Sequence, residues 1–401
     1  MKTKILNEAK EIEKDIIEYR RYLHKIAEVG FELEKTVGFV KSKLLEFGCK
    51  VEPCGKNGLV TVVGDTSNVT VLLRADMDAL PIKEASGVEF SCENGCMHAC
   101  GHDMHTAMLL GAARLLKKHE GELKSGVKLM LQPAEEILSG AKNMLENGLL
   151  DDCNIKAAIM LHVMAGLPLM TGTIIVSSGG VGAPAADYFS INIQGKGCHG
   201  STPQQGVDAI NIASHIVIAL QEISARELGV SDEALLTIGS FKGGNAGNVI
   251  ADTAILEGTM RAYNDEVRDY IKKRITEISN GVASTFRGRS EVMFGPGCPT
   301  LLNDGDLSEI IESKTIELLG EEMVLNTNSF GTRTNKSGGS EDFSYVSHRV
   351  PSLMLALASG NSEEGYIYPQ HHPKVMFDES VLSIGSAVFT YNAIKLSEKL
   401  K

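Results

Sequence analysis

Two spacings of apolar residues alternate along the first part of this chain. Helical spacing covers residues 5–29 and 34–47, and it returns at residues 105–119 and 140–147. Between these segments lie short apolar runs of strand length, at residues 59–63, 69–73, 127–131 and 157–161. Strands that alternate with helices predict an α/β domain with helices on both faces of a sheet.

The pattern changes after the glycine-rich residues 179–182. From there it predicts a strand, a helix, two strands, a helix and a strand, at residues 187–193, 207–228, 234–238, 248–260, 265–286 and 291–294. This βαββαβ order is typical of a compact ferredoxin-like unit. The α/β pattern resumes after Pro299, with a strand at residues 353–357 and a final helix from Glu379. We therefore expect a discontinuous α/β domain, residues 1–185 and 298–401, with an inserted ferredoxin-like α+β domain, residues 186–297.

Composition narrows the class of protein. A length of 401 residues with 43% hydrophobic residues suits two globular domains. The net charge of −12 argues against nucleic acid and anionic membrane surfaces as partners, because both require clustered Lys and Arg. The N-terminal residues enter an amphipathic helix without the apolar core of a signal peptide. We therefore expect a cytoplasmic protein whose eight cysteines are reduced.

Polar side chains follow three of the predicted strands at the point where each strand ends. Asp76 follows the second strand, the pair Glu135 and Glu136 follows the third, and His162 follows the fourth. In an open α/β sheet, ligands bind at the carboxyl ends of the strands. A buried carboxylate or imidazole costs free energy unless it is paired or binds a metal. These side chains therefore predict a shared site at one edge of the sheet.

The segment MHACGHDMH, residues 97–105, is the richest in metal-binding side chains. It contains the Cys100 thiol and three imidazoles, including that of His102, and such ligands suit Zn²⁺, Mn²⁺ or a related metal. A structural zinc site that includes Cys92 and Cys96 is the alternative, but the paired CxxC spacing of such sites is absent. Adjacent Glu135 and Glu136 must point in different directions. One can bind metal while the other accepts a proton from water.

The whole chain resembles the M20 metallopeptidase superfamily, in the amidohydrolase branch of hippurate hydrolases, aminoacylases and indole-acetyl-amino-acid hydrolases. The resemblance is carried in order by RRYLHKIAEVGFELEKT from Arg20, RADMDALPI from Arg74, MHACGHDMHTAMLLGAA from Met97, QPAEE from Gln132, LHV from Leu161, HGSTPQQGVDAI from His199, GNVIADTAILEGTMRA from Gly247, SGGSEDFSY from Ser337 and HHPKVMFDE from His371.

The resemblance implies two divalent metal ions per subunit, and these ions are Zn, Mn, Co or Ni. It implies metal ligands at Cys100, His102, Glu136, His162 and His371. It also implies that Glu135 is the general base and that Asp76 orients the metal site. The neighbouring imidazole of His372 is an alternative ligand, but the family's ligand stands two residues before a proline, which selects His371.

The middle block resembles the family's lid, which also mediates homodimerisation. His199 is implied to bind the oxyanion of the tetrahedral intermediate at the active site of a partner subunit. Asn248 and Arg261 match lid residues that hold a substrate carboxylate, a task that suits the planar fork of Arg. Without the resemblance, His199 and Arg261 read as surface residues.

The expected function is metal-dependent hydrolysis of the amide bond of N-acyl-amino acids. A metallo-carboxypeptidase or dipeptidase is the alternative on the same scaffold, and an N-acetyl-diaminopimelate deacetylase is another. A binding protein without catalysis is disfavoured because such proteins usually lack a ligand or the base, and both are present here. The glycines near residue 179 match neither GxGxxG nor GxxxxGK[ST], which argues against nucleotide binding.

Overall fold

The computed structural model describes residues 1–151, 153–330 and 338–400, so Ser337, where one family motif begins, lies outside them. The chain divides into two compact units. The first comprises Met1–Gly182, Leu302–Lys336 and Asp342–Lys401, and the second comprises Ala183–Leu301 with Ser337–Glu341. An α/β unit interrupted by an α+β unit is the fold class that the sequence predicts, and it is confirmed.

The helices of the described residues are α1 (Lys2–Glu11), α2 (Glu13–Lys25), α3 (Glu34–Glu46), α4 (His102–Lys118), α5 (Gly140–Glu146), α6 (Ala209–Ala219), α7 (Asp265–Thr285), α8 (Gly305–Leu319), α9 (Ser344–Ser347) and α10 (Leu382–Lys399). The strands are β1 (Val51–Pro53), β2 (Leu59–Val63), β3 (Val69–Asp76), β4 (Gly126–Gln132), β5 (Ala157–Met164), β6 (Ile174–Val176), β7 (Gly180–Ala183), β8 (Ala185–Gln194), β9 (Cys198–His199), β10 (Ala234–Gly243), β11 (Val249–Ile250), β12 (Thr253–Ala262), β13 (Arg289–Cys298), β14 (Leu301–Asn303), β15 (Val324–Asn326) and β16 (Ser352–Ala358).

The first unit is built on an eight-stranded mixed sheet with the order β1-β2-β4-β3-β5-β16-β6-β15. Within this sheet, β3 is parallel to both β4 and β5, and β5 is parallel to β16. Every residue of β3 and β4 is buried, as expected for parallel strands covered on both faces. Helix α4 is also buried along most of its length. These buried strands give the sheet a rigid edge on which polar side chains can be placed.

The second unit contains a four-stranded antiparallel sheet with the order β10-β12-β8-β13. Its core is formed by inward-facing strand residues and by the apolar residues of α6 and α7. Strands β9 and β11 form a separate two-stranded sheet. None of the helices in the described ranges has the length and apolar character needed to cross a membrane.

Several element boundaries differ from those predicted. The helix expected over residues 5–29 is two helices, because the backbone leaves helical geometry at Ile12. Strand β5 continues to Met164, so that His162 lies within the strand and not after it. The strand expected over residues 248–260 is divided into β11 and β12, since the Asp252 carbonyl binds the Gly195 amide while β11 pairs with β9.

Candidate metal centre

The carboxyl ends of three parallel strands bring polar side chains to one edge of the first unit. Asp76 is the last residue of β3, and Glu135 and Glu136 lie in the loop that follows β4. His162 stands two residues before the end of β5. Because the neighbours β4, β3 and β5 run in the same direction, their carboxyl ends meet at one edge of the sheet.

The start of helix α4 supplies two further side chains. Cys100 precedes the helix, and His102 is its first residue. Between them Gly101 adopts a left-handed conformation with φ of 90°. A Cβ atom at this position would lie 2.4 Å from Cγ2 of Val163, so only glycine fits here. This close approach lets the Cys100–His102 turn pack directly against β5.

Several overlapping groups of ligand atoms form at this edge, and two of them consist of implied metal ligands alone. Cys100, His102 and His162 make one, and Cys100, Glu136 and His371 make the other, with the atoms of each group within 4.8 Å of one another. Glu135 belongs to a further group with His102 and Glu136. The Cys100 Sγ lies 3.5 Å from Nε2 of His162, and the His371 Nε2 lies 3.5 Å from Oε2 of Glu136. Cys100 belongs to both groups. The structure therefore brings together all five residues that the sequence predicts as metal ligands.

Hydrogen bonds select which nitrogen each buried imidazole presents. The Nδ1–H of His102 donates to the carbonyl oxygen of Asp78 at 2.9 Å. The Nδ1–H of His162 donates to the carbonyl oxygen of Val163 at 2.7 Å. A carbonyl oxygen only accepts, so Nδ1 carries the proton and Nε2 keeps its lone pair in both rings. Both rings thus present a nitrogen that can bind a metal.

The two adjacent histidines of the C-terminal motif lie in different surroundings. His371 adopts a left-handed conformation with φ of 65°, and its amide donates to the carbonyl oxygen of Ala99 at 2.9 Å. Its imidazole reaches the group that contains Cys100 and Glu136. The ring of His372 stacks on Tyr368 instead, with ring centroids 4.4 Å apart. The geometry therefore agrees with His371 as the ligand.

The polar atoms of this edge fit a bound cation. Nε2 of His102 and Oε1 of Glu136 are buried, and neither has a hydrogen-bond partner among the described residues. The two atoms lie 3.8 Å apart. Burial raises the pKa of Glu136 to about 7, and burial also raises the pKa of the Cys100 thiol. Buried polar atoms without partners are costly, and a divalent cation among them would satisfy both.

Asp76 acts on the cluster through His105. Its Oδ1 accepts a hydrogen bond from Nδ1 of His105 at 2.6 Å, and Nε2 of His105 accepts one from the Val163 amide at 2.9 Å. Burial raises the pKa of Asp76, but the Arg74 guanidinium, at 2.8 Å, and the imidazoles of His102 and His105 together outweigh burial, so that the net pKa is well below its usual range. Asp76 thus orients His105, which in turn holds the backbone next to His162.

Glu135 is buried beside the predicted ligands. Its Oε2 lies 3.9 Å from Nε2 of His102, and its amide donates to Oδ1 of Asp78 at 3.0 Å. The preceding residue, Ala134, is in a left-handed conformation with φ of 55°. Both carboxylates approach Nε2 of His102, at 3.9 Å for Glu135 and 3.8 Å for Glu136, and Glu136 in addition reaches His371.

Sequence reasoning assigned no role to Asp78, His105 or Arg74. Asp78 follows Asp76 by two residues, and two acidic residues after a fully apolar strand are the signal that could have found it. The role of His105 depends on a contact between α4 and β5, which no local spacing reveals.

The second unit contains the three predicted lid residues. His199 is exposed in β9, and its Nδ1 accepts a hydrogen bond from the Ser201 hydroxyl at 2.7 Å. Asn248 precedes β11, and its carbonyl oxygen accepts from the Gly200 amide at 2.8 Å, so it lies beside His199. Arg261 in β12 has a buried Nε without a hydrogen-bond partner among the described residues. The functions of these three residues stay a prediction.

Comparisons with known proteins agree with this picture. Residues 72–394 match the model of peptidase family M20/M25/M40. The N-acetyl-L-cysteine deacetylase of Bacillus subtilis is 35% identical over 387 residues, which are 96% of this chain and 88% of that protein. Thermostable carboxypeptidase 2 of Saccharolobus solfataricus is 34% identical over 405 residues, 99% of each chain. The solved YXEP protein of Bacillus subtilis, a dinuclear metal-binding peptidase from the M20 family, is similar with a TM-score of 0.77 and 30% identity, over 97% of this chain and 99% of that one.

Proposed function

The chain belongs to peptidase family M20/M25/M40, and with that membership as the premise we propose that it hydrolyses the amide bond of N-acyl-amino acids. The products are a carboxylic acid and a free amino acid. The observation that carries the proposal is the buried group of thiol, imidazole and carboxylate ligands with a second carboxylate, Glu135, beside it. As a member of this family, the chain is a metal-dependent hydrolase.

Two divalent cations fit the donor set. Cys100, His102 and His162 would hold one ion, and Cys100, Glu136 and His371 would hold the other, since these are the two groups made up of the implied ligands alone. Thiolate and imidazole ligands suit Zn²⁺, Mn²⁺, Co²⁺ or Ni²⁺. Such ions, when bound, polarise a substrate carbonyl and lower the pKa of water.

Glu135 moves the proton in this proposal. Its carboxylate accepts a proton from the attacking water and later delivers it to the amide nitrogen that leaves. A positioned acid–base group of this kind contributes about 10²- to 10⁴-fold to the rate. Two contacts support the assignment: the buried carboxylate lies 3.9 Å from Nε2 of His102, and the Glu135 backbone is anchored to Asp78.

The second unit supplies substrate contacts. Arg261 and Asn248 bind the carboxylate of the amino acid, and the buried Nε of Arg261, without a partner among the described residues, supports this role. A charge-assisted bidentate pair between guanidinium and carboxylate gives both affinity and orientation. His199 donates a hydrogen bond to the oxyanion at the site of a partner subunit.

The protein is a homodimer in this proposal, joined through the second unit. Strand β10 lies at the edge of its sheet, where backbone groups are free to pair with another strand. Large apolar side chains of this unit are exposed, with Leu235 at 47% and Phe241 at 44% in β10 and Ile218 at 68% in α6. An unpaired edge strand with exposed apolar side chains supports a subunit interface in this unit.

A carboxypeptidase is the second candidate, and the similarity to thermostable carboxypeptidase 2 favours it. Both activities require a free substrate carboxylate. The discriminating experiment is a hydrolysis panel of N-acetyl, N-benzoyl and indole-acetyl amino acids, N-acetyl-diaminopimelate and dipeptides, each with Mn²⁺, Zn²⁺, Co²⁺ and Ni²⁺. We expect the highest kcat/KM among the N-acyl-amino acids. Hydrolysis of dipeptides alone would select the carboxypeptidase or dipeptidase, and no hydrolysis with any metal would refute both.

A further inference from the structure

Asp78 stands at the centre of the candidate site without being one of its predicted ligands. Its side chain is fully buried, two residues beyond the end of β3. The backbone on either side is held in place, because the Met77 amide donates to the carbonyl oxygen of Gln132 and the Ala79 amide donates to that of Glu28, both at 2.8 Å. The carboxylate of Asp78 is therefore fixed in position against the loop after β4.

Each oxygen of this carboxylate binds one of the two neighbouring glutamates. Oδ1 accepts from the Glu135 amide at 3.0 Å, and Oδ2 accepts from the Glu136 amide at 3.2 Å. The carbonyl oxygen of the same residue accepts from Nδ1 of His102 at 2.9 Å. Asp78 thus holds the backbone of the proposed base Glu135 and of the ligand Glu136. Its carbonyl oxygen also selects the tautomer of a second ligand, His102.

The loop that Asp78 holds is strained. Ala134 and Leu138 both have left-handed backbone conformations, with φ of 55° and 53°. Non-glycine residues adopt this conformation at a cost in free energy, and they persist in it only where surrounding contacts impose it. Hydrogen bonds from two backbone amides to one carboxylate are among the stronger contacts of this kind.

We propose that Asp78 is a positioning residue, whose carboxylate holds the base Glu135 and the ligand Glu136 in their working geometry; this inference rests on the proposed hydrolysis. The substitution Asp78→Asn separates the two contributions of the residue. An Asn side chain keeps one acceptor oxygen and replaces the other with an NH₂ donor, which faces an amide N–H and cannot bind it. The backbone carbonyl that binds His102 is unchanged by this substitution, while the side-chain contact of 3.5 Å between Oδ1 of Asp78 and Nδ1 of His102 loses its charge.

The test compares wild type, Asp78→Asn and Asp78→Ala, all full-length and in saturating Mn²⁺. The control is Asp304→Ala, which removes the cap that accepts a hydrogen bond from the Leu307 amide at the start of α8. The first measurement is amide hydrogen exchange of a peptide that covers residues 133–139. We expect exchange at both Glu135 and Glu136 to be roughly 10- to 100-fold faster in Asp78→Ala. In Asp78→Asn the same acceleration is expected at the one amide that faces the new NH₂ group, and the control should show no change.

The second measurement is the hydrolysis of the best N-acyl-amino acid of the panel. We expect kcat to fall by roughly 100-fold in Asp78→Asn, because a small displacement of catalytic groups lowers the rate by about this factor. KM should change little. Unchanged exchange in Asp78→Asn would overturn the proposal, and so would faster exchange with wild-type kcat. If wild type hydrolyses no N-acyl-amino acid, the proposed function fails, and the exchange data alone decide whether Asp78 positions the loop.

Discussion

At the scale of single residues, the site depends on which atom each side chain presents. Adjacent Glu135 and Glu136 have the same chemistry but different contacts, since both lie beside His102 and Glu136 in addition reaches His371. Two identical carboxylates can therefore take different roles, one in binding metal and one in moving protons.

The substitution Glu135→Gln tests this division of roles. Gln has nearly the same shape but cannot accept the proton, so we expect kcat/KM to fall by about 10²- to 10⁴-fold while the metal content stays at the wild-type level. Metal content by mass spectrometry and steady-state kinetics are the two measurements. Glu136→Gln is the matched control, and it should lose metal as well as activity. Wild-type turnover by metal-loaded Glu135→Gln would exclude Glu135 as the base.

At the scale of elements, the junction of α4 with β5 decides the geometry of the ligands. Gly101 allows the turn between Cys100 and His102 to approach Val163, which follows His162 in β5. The same contact brings the ring of His105 to the Val163 amide. Helix α4 and strand β5 therefore carry their ligands as one packed pair.

The substitution Gly101→Ala should move the start of helix α4 away from strand β5. A methyl group would meet Val163 at 2.4 Å, and the left-handed φ of 90° would cost about 1–2 kcal/mol for any residue with a Cβ. We expect a lower Tm and a lower metal content after dialysis. Gly121→Ala is the control, because a Cβ at Gly121 meets no atom within 4 Å. Equal metal content in the two variants would contradict the role given to this turn.

The contact between α1 and the end of α4 makes stability depend on pH. Glu8 bonds to His119 at 2.5 Å and pairs with Lys118 at 2.9 Å. Burial raises the pKa of Glu8, but the bonds to His119 and Lys118 outweigh burial and the net pKa lies below 4.5. A carboxyl with a lowered folded pKa stabilises the fold above its unfolded pKa, and this stabilisation is lost as the pH falls through the folded pKa.

Glu8→Gln should therefore reduce stability at pH 6 and have little effect in more acidic buffer. We expect a loss of about 1.5–3 kcal/mol at pH 6, the range of a hydrogen bond to a charged group. The difference in Tm from wild type should shrink as the pH falls below 4.5, and thermal unfolding at several pH values measures it. The exposed Glu11 in the same helix provides the control Glu11→Gln. A difference in Tm that does not change with pH would show that the Glu8 charge is not responsible.

At the scale of the whole molecule, the proposed mechanism divides one active site between two subunits. Glu135 belongs to the first unit and His199 to the second. If His199 acts at the site of a partner subunit, two inactive variants complement each other, since a mixed dimer of Glu135→Ala and His199→Ala contains one complete site.

Mixing the two variants after reversible dissociation should restore about a quarter of wild-type activity, because half of the random dimers are mixed and each has one of two sites intact. Size-exclusion chromatography with light scattering gives the oligomeric state of each sample. If His199 acts within its own subunit, no mixture recovers activity. If the wild-type protein is a monomer, the proposed homodimer is contradicted.

Much of this organisation follows from local sequence. Short apolar runs predict the strands β2 to β5 of the first unit, because strands covered on both faces of a sheet are apolar along most of their length. The polar residues after β3 and β4, and the cluster from Cys100 to His105, predict a metal site, because these side chains are rarely buried without a partner. The M20 resemblance, confirmed by the family match, identifies the chemistry.

Other features depend on contacts between residues distant in sequence. The family resemblance favours His371 over His372 by its spacing to a proline, but the physical difference between them appears only in the fold, where the imidazole of His371 lies beside Glu136 and that of His372 stacks on Tyr368. The bonds from Asp78 to the two glutamates span more than fifty residues, and the link between His105 and Val163 joins a helix to a strand. Local patterns decide which residue types are present and which segments are buried. Tertiary packing alone decides which atoms meet, because hydrogen bonds and bonds between a metal and its ligands form only when the distance between the two atoms is correct to within a few tenths of an ångström.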